Sequence, residues 1–393
     1  MSDEFDDDFL MDIPMPDESS ANRDIIEDEC NVAKKMAFIG LGQAGSRIAE
    51  AFHKLGYRRV CVVNTAVQDL ASIDLPEENK LLMAIDEGGA GKHPDIGAKA
   101  AAQYREDIYD LMRKSFGKEF DRIMVCAGTG GGTGGGSWSV VLDIAHEFAQ
   151  TLRIEEETGD TVVGMIATIP MLSEGPAVNA NSSEALDQML PLAGVGRSKT
   201  RTVSPLVLVD NERIEALYRN VPAAKFWGVA NKSIASLFHL FNSVAAKDSE
   251  YSTFDAADLD DVLGSGVITF GATGIGAYKN HGDVAKAIRD NLKGNVLVSN
   301  LDVGVAEKAA CVFIASQDVL DEIPQAYLEH GYEMLGRLMG GGAAIHRGIY
   351  KGGGNGNLRV YTMLGELGVP TERLEQIAKK GDWWPKILGK KRK

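Results

Sequence analysis

Seven of the nine residues from Gly128 to Gly136 are glycine, within the segment CAGTGGGTGGGSW. Glycine costs about 0.5–1 kcal/mol relative to alanine in regular structure, so so dense a run persists where bare backbone is itself used. Two uses compete: a flexible linker, and a loop whose N–H groups surround an anion. The flanks choose between them. RIMVCAG before the run is a short apolar strand pattern, and SVVLDIAHEFAQTLR after it has the spacing of an amphipathic helix. The run is therefore read as a strand-to-helix loop.

The same alternation extends along the chain. MAFIG, VCVVNT, VVGMIATIP and PLVLVDN are strand patterns, with helical stretches such as SRIAEAFHKLG, KAAAQYREDIYDLMRKSF and SSEALDQMLPLAG among them. This pattern predicts an α/β fold with a doubly wound, mostly parallel sheet. Residues 222–248 form the longest helix candidate, and GVITFGATGI, AACVFIAS and NLRVYTMLG follow it as strands of a smaller α+β domain. The glycine cluster at 340–356 is read as a loop in that domain. The expected organisation is an acidic tail at 1–33, a nucleotide-binding domain at 34–221, a central helix at 222–248, a second domain at 249–367 and a basic tail at 368–393.

Charge is concentrated at the two ends. Of a net charge of −15, −11 lies within residues 1–33, and from Ala378 onward seven Lys/Arg stand against Asp382 alone. Both ends have the composition of poorly ordered tails, and DWWPKIL in the second offers a docking segment for acidic lipid or an adaptor. The near-neutral body has no basic surface pattern, so direct nucleic-acid binding is not expected. No apolar run reaches membrane-helix length, the acidic N-terminus is unlike a signal peptide, and the four cysteines are scattered. A cytoplasmic protein is the expectation.

Ligands of a doubly wound sheet sit at the carboxyl ends of its strands, and three such ends are glycine-rich. GLGQAG (Gly40, Gly42, Gly45) fits G-x-G-x-x-G, but VCVVNT ends in Asn64 and Thr65 where a dinucleotide fold places an acid. GTGGGTGGGS opens a helix, where N–H groups and the hydroxyls of Thr129, Thr133 and Ser137 suit phosphate oxygens. EGGAGKHPDIGAK is the third loop. Loops of this kind converging on one cleft imply a di- or triphosphate. The Walker A pattern is absent.

AGTGGGTGGGS is similar to the signature loop of the tubulin/FtsZ superfamily, AGMGGGTGTGAAP in bacterial FtsZ and GGGTGSG in tubulins. The resemblance covers almost all of residues 36–275: VNTAVQDL resembles NTDAQAL, GAGKHPDIG resembles GAGANPEVG, and GLGQAG is nearer the GQCG of tubulin and the GFGQAGG of archaeal CetZ proteins than the polyglycine of FtsZ. The resemblance implies a polymerising GTPase of the FtsZ/CetZ/TubZ group that binds GTP or GDP with magnesium. It places Gly42, Gln43, Ala44 and Gly45 in the first phosphate loop, with Gln43 towards phosphate and magnesium, and Asn64 and Gly91 in the next two. The backbone of Gly128, Gly130, Gly131, Gly132, Thr133 and Gly134 would cradle the phosphates. Glu174 would face the ribose, Asn211 would contact guanine, Trp227 would stack on it, and Asn231 would pair with its edge. Arg47, Val178 and Asn179 depart from the residues usual in FtsZ.

No loop residue is an obvious general base. Asp255 and Asp258, in STFDAADLDDV, share one face of a helical turn. Acids there also serve a helix dipole, with Ser252 and Asp255 spaced as a capping box. The resemblance implies that these acids act on the GTP of the next subunit in a head-to-tail filament. Two rivals are a monomeric oxidoreductase using GLGQAG and a nucleotide-binding scaffold that polymerises without hydrolysis.

Overall fold

The computed structural model describes residues 30–85, 88–152, 154, 161–195, 201–276, 278–293, 297–298, 301–353, 356 and 358–387. They divide into two compact units. One comprises residues 34–215 with the segment from 371 onward, and the other comprises residues 31–33 and 216–370.

The first unit is built on six parallel strands: β1 (Met36–Leu41), β2 (Val60–Asn64), β3 (Lys80–Leu82), β4 (Arg122–Gly128), β5 (Val163–Ile169) and β6 (Leu206–Asp210). Their order is β3-β2-β1-β4-β5-β6, so the winding reverses between β1 and β4. Strands buried on both faces read as continuous apolar runs, which is why MAFIGL and VGMIATI carry almost no polar residue. Helices α1 (Gly42–Lys54), α2 (Val67–Ala71), α3 (Pro94–Gln103), α4 (Arg105–Phe116), α5 (Thr133–Thr151), α6 (Pro176–Leu192) and α7 (Asn211–Leu217) connect them. Phe38 of β1 stacks on Phe52 of α1 at 3.9 Å, with Tyr57 edge-on to both, fixing the first helix to the sheet. KAAAQYREDIYDLMRKSF is two helices rather than one, broken at Tyr104.

The second unit holds the long helix α8 (Ala223–Val244), then α9 (Ala256–Leu263), α10 (His281–Lys293), α11 (Gln317–Glu322) and α12 (Gln325–Leu338). Its strands, β7 (Val267–Gly274), β8 (Lys308–Ala315), β9 (Ala344–Lys351) and β10 (Leu358–Gly365), lie in the order β7-β10-β8-β9. β10 runs antiparallel to β7 and β8, and β9 runs parallel to β8 with His346 opposite Ala310. The expected loop at 340–356 therefore contains an outer strand. Glycines on both sides of AIHRGIYK hide it, and its pairing with β8 is not a local property.

The C-terminal segment also differs from its expected form as a loose tail. Residues 371–387 form α13 (Thr371–Ile387), which packs on α6: the Cα of Ala180 would lie 2.7 Å from any Cβ added at Gly381. Residues 1–29 and the side chains of Trp383, Trp384, Ile387 and Leu388 lie outside the described residues. Among the described residues no helix is long and apolar enough to cross a membrane.

Candidate functional site

The carboxyl ends of β1, β3 and β4 bring the three expected glycine-rich loops together. Gly42 begins α1 at φ +63°, a conformation that costs glycine nothing, and a Cβ there would lie 2.9 Å from the N of Gly134. A Cβ on Gly45 would meet the Cys126 carbonyl at 2.0 Å, so α1 crosses β4 at backbone contact. The heads of α1 and α5 thus stand side by side where the winding reverses, with their free N–H groups presented from two helices at once.

The third loop backs onto the second. Gly132 N–H donates to the Gly91 carbonyl at 2.9 Å, and Asn181 of α6 donates to the carbonyls of Lys92 (3.0 Å) and Gly130 (3.2 Å). Gln43, Ala44, Gly91 and Gly131 are exposed at the rim, whereas Gly130, Gly132 and Gly134 are buried and Gly128 is half-buried. Nothing lies within 4 Å of a Cβ at Gly131, while one at Gly132 would meet the carbonyls of Gly91 and Ala90 at 2.5 and 2.7 Å.

Several polar groups expected to face phosphate instead hold the loops. Thr129 is fully buried; its hydroxyl lies 2.7 Å from that of Ser182 and donates to the Thr168 carbonyl at 2.8 Å. Ser137 is equally buried and donates to the Thr133 carbonyl one turn back. These two hydroxyls are used up in packing, which corrects the expectation that they reach a ligand. Thr133 bonds the Thr65 hydroxyl at 2.6 Å and donates to Asn64 Oδ1 at 3.3 Å. Asn64, 1% exposed, also accepts from Thr65 N–H and donates to Asp69. Asn64 and Thr133 thus form a buried tie between two loops. Thr65 completes it by accepting from Ala90 N–H at 2.9 Å, a role that sequence reasoning missed, as it missed Asn181.

The glycines beyond Thr133 have a separate purpose. Gly134, Gly135 and Gly136 lie in the first turn of α5 and are buried. A Cβ at Gly136 would lie 1.9 Å from the Pro94 carbonyl, so α3 and α5 touch there at backbone distance.

At the ends of β5 and β6, Glu174 is exposed and its Oε1 accepts from Met171 N–H at 2.8 Å. Glu212 accepts from Leu172 N–H, linking that turn to the helix that Asn211 begins. Val178 packs its side chain against Gly130, and Asn179 is fully buried, donating to the Gly175 carbonyl at 2.8 Å. These two departures from FtsZ sit beneath the loop.

In the second unit, Trp227 and Asn231 are half-buried on α8, one turn apart on one face. Trp227 lies edge-on to Phe226 at 5.0 Å. Asp255 is the N-cap of α9: its Oδ1 accepts from Ala257 N–H (2.8 Å) and Asp258 N–H (2.9 Å), and Asp258 Oδ2 accepts in return from Asp255 N–H. The capping box is thus Asp255 with Asp258, where Ser252 with Asp255 was the expected spacing. Asp258 Oδ1 is 2.6 Å from Nδ1 of His346, whose Nε2 is 2.9 Å from Asp261 Oδ2. Lys308 donates to Asp261 at 2.5 Å. Burial works against the Asp261 charge, but Lys308 and His346 overcome it and hold the carboxyl below its usual range.

Residues 35–194 match the family described as "Tubulin/FtsZ family, GTPase domain". The chain is 24% identical over 302 residues to the cell division protein FtsZ of Haloferax mediterranei, covering 76% of this chain and 71% of that protein. It is 25% identical over 256 residues to the tubulin-like protein TubZ of Bacillus cereus, covering 61% of this chain and 54% of that protein. Among solved structures, the GTPγS-form protofilament of TubZ from Bacillus thuringiensis serovar israelensis superposes with a TM-score of 0.74 at 20% identity, over 91% of this chain and 94% of that one. CetZ2 from Haloferax volcanii, in its GTPγS-bound protofilament, superposes with a TM-score of 0.70 at 20% identity, over 90% and 99%. Strand order, the two facing helix heads and these matches agree: residues 35–194 are the part of the chain that matches the tubulin/FtsZ GTPase-domain family.

Proposed function

We propose that the chain is a cytoplasmic GTPase that assembles head to tail into filaments and hydrolyses GTP where two subunits meet. The observation that carries this reading is the pair of glycine-rich turns opening α1 and α5 on either side of the reversal between β1 and β4. N–H groups from two helix heads suit a run of phosphates, and the exposed Gly131 leaves room for one. Protofilaments of similar structures support self-association through a head-to-tail, non-closing contact.

In this reading Trp227 stacks on guanine, Asn211 and Asn231 contact its polar edge, and Glu174 faces the ribose. Asn64 and Thr133 act indirectly, by fixing the loops. The exposed Gln43 amide at the head of α1 is an oxygen donor of the kind magnesium takes beside phosphate oxygens and water, so the residues present fit that ion. Magnesium would supply charge neutralisation on the phosphates. Asp255 and Asp258 of the adjoining subunit orient the attacking water and accept its proton. Phosphoryl transfer depends on positioning and electrostatics more than on base strength, so capped, ordered carboxylates suit that work. The process served is one of the filament's uses known from relatives by name, cell division among them.

The test is incubation with GTP and magnesium, following phosphate release and light scattering together. Coupled rises in both are expected, with ATP a poor substitute because a mismatched base leaves buried polar groups unpaired at about 1–3 kcal/mol each. Scattering without phosphate release would make the chain a non-hydrolysing scaffold. Binding of a nicotinamide dinucleotide in preference to GTP would make it the oxidoreductase.

A further inference from the structure

We infer that His346, on the outer strand β9, is a positioning residue for Asp258. The inference rests on the proposed role of Asp258 in hydrolysis and goes beyond it by naming what holds that carboxylate still. His346 lies 88 positions after Asp258 in the chain, and its ring fills the space between two acids of α9.

Both ring nitrogens face carboxylate oxygens, at 2.6 Å on Asp258 and 2.9 Å on Asp261. The Nε2 contact with Asp261 has hydrogen-bond geometry, and the Nδ1 contact with Asp258 is a close approach of ring nitrogen to carboxylate oxygen. The surrounding charges fit: Lys308 of β8 bonds Asp261 alone, and Asp255 stands at the head of α9. Arg347, the next residue of β9, points to the other face and pairs with Glu329 of α12 at 2.8 Å. Asp261 therefore has Lys308 as a further partner, whereas His346 is the basic side chain that the described contacts give Asp258.

Asp258 is held at both oxygens. Oδ2 accepts the Asp255 N–H of the capping box, and Oδ1 lies at ion-pair distance, 2.6 Å, from Nδ1 of His346. One hydrogen bond and one close ion-pair contact, from different elements, constrain the carboxylate, and each oxygen keeps a lone pair for water. The side chain of Asp258 is 28% exposed and that of His346 21%, so the pair lies close enough to the surface for an adjoining subunit to reach. Without the ring, one oxygen would be free to turn, and a misplacement of this kind lowers turnover while leaving the subunit's own nucleotide pocket untouched.

The two ring nitrogens can be replaced separately. The amide nitrogen of Asn occupies the place of Nδ1 and that of Gln the place of Nε2, so His346→Asn keeps a polar contact with Asp258 and His346→Gln keeps only the one with Asp261. Phosphate release and GTP affinity are measured on the full chain for both variants, for His346→Ala and for Asp258→Ala. We expect turnover about tenfold lower for His346→Ala and His346→Gln, within about threefold of wild type for His346→Asn, and GTP affinity unchanged throughout. Equal turnover by the Asn and Gln variants, or wild-type turnover by His346→Ala, overturns the inference. If Asp258→Ala is inactive while His346→Ala is active, only the positioning role fails. If Asp258→Ala turns over normally, the role of the acid fails and the positioning role with it.

Discussion

Arg373 and Asp210 form an ion pair almost sealed from solvent, Nε to Oδ2 at 3.0 Å, with side chains 5% and 2% exposed. The same guanidinium donates to the Pro170 carbonyl at 2.7 Å and reaches Glu212 at 3.1 Å. The last helix is thereby fastened to the ends of β5 and β6, next to Asn211. Burial pushes the Asp210 carboxyl up, and Arg373 opposes that push.

Removing one partner of such a pair strands the other's charge. Arg373→Met should lower stability by about 3–5 kcal/mol, and Asp210→Asn added to it should recover part of the loss. Urea unfolding of the single and double variants measures this. A single variant within about 1 kcal/mol of wild type would show that the pair does not fasten α13. Deleting residues 388–393 removes none of these contacts and should leave both stability and GTP binding unchanged, whereas deletion from 371 should not.

The glycine run should separate into packing and pocket positions. Gly136→Ala forces a methyl onto the Pro94 carbonyl and should cost about 2 kcal/mol or more. Gly131→Ala meets nothing within 4 Å and should stay within about 0.5 kcal/mol of wild type. Thermal melts of the two proteins side by side decide it; equal destabilisation would contradict the division.

Gly131 also supplies the pocket-blocking variant for a test of the shared site. Gly131→Trp fills the open rim without striking backbone, unlike a bulky residue at the enclosed Gly132. Alone it should fold and fail to bind GTP. Asp258→Ala should bind GTP normally and fail to hydrolyse it, so its filaments should persist. Mixed, unlike neighbours can complete one site between them, and phosphate release should exceed that of either protein alone. Release that merely averages the two would argue against catalysis across subunits.

His239, buried in the middle of α8, links stability to acid. Burial first, and the Lys247 charge second, lower its pKa to about 4. Above about pH 6.5 both folded and unfolded chains keep the ring neutral and there is no effect. Between there and about pH 4 the unfolded chain takes a proton that the native chain refuses, so stability falls by about 1.4 kcal/mol per pH unit. Between pH 7.5 and pH 5, His239→Gln should lose about 2 kcal/mol less than wild type in urea melts. Identical losses would mean that His239 takes up its proton in the folded state as readily as in the unfolded one.

What the sequence by itself determined is what local pattern can encode. Apolar runs of strand length alternating with helical periodicity specified a doubly wound sheet, because buried parallel strands and amphipathic helices each leave their own repeat. The glycine run marked the end of β4, and Asn64 in place of an acid separated the chain from dinucleotide binders before any fold was known. Strand β9 escaped notice because glycines bracket it and its partner, β8, lies some thirty residues earlier.

Only the tertiary structure decided which glycine serves which purpose. Gly131 and Gly136 are the same residue in the same run, yet one faces open space and the other the carbonyl of Pro94. It turned Thr129 and Ser137 inward, set Arg373 of a basic tail into a sealed pair with Asp210, and laid His346 against Asp258. Each of these depends on backbone or charge brought close from a distant part of the chain. Such proximity leaves no period in the sequence, because it arises from how the elements pack rather than from how any one of them forms.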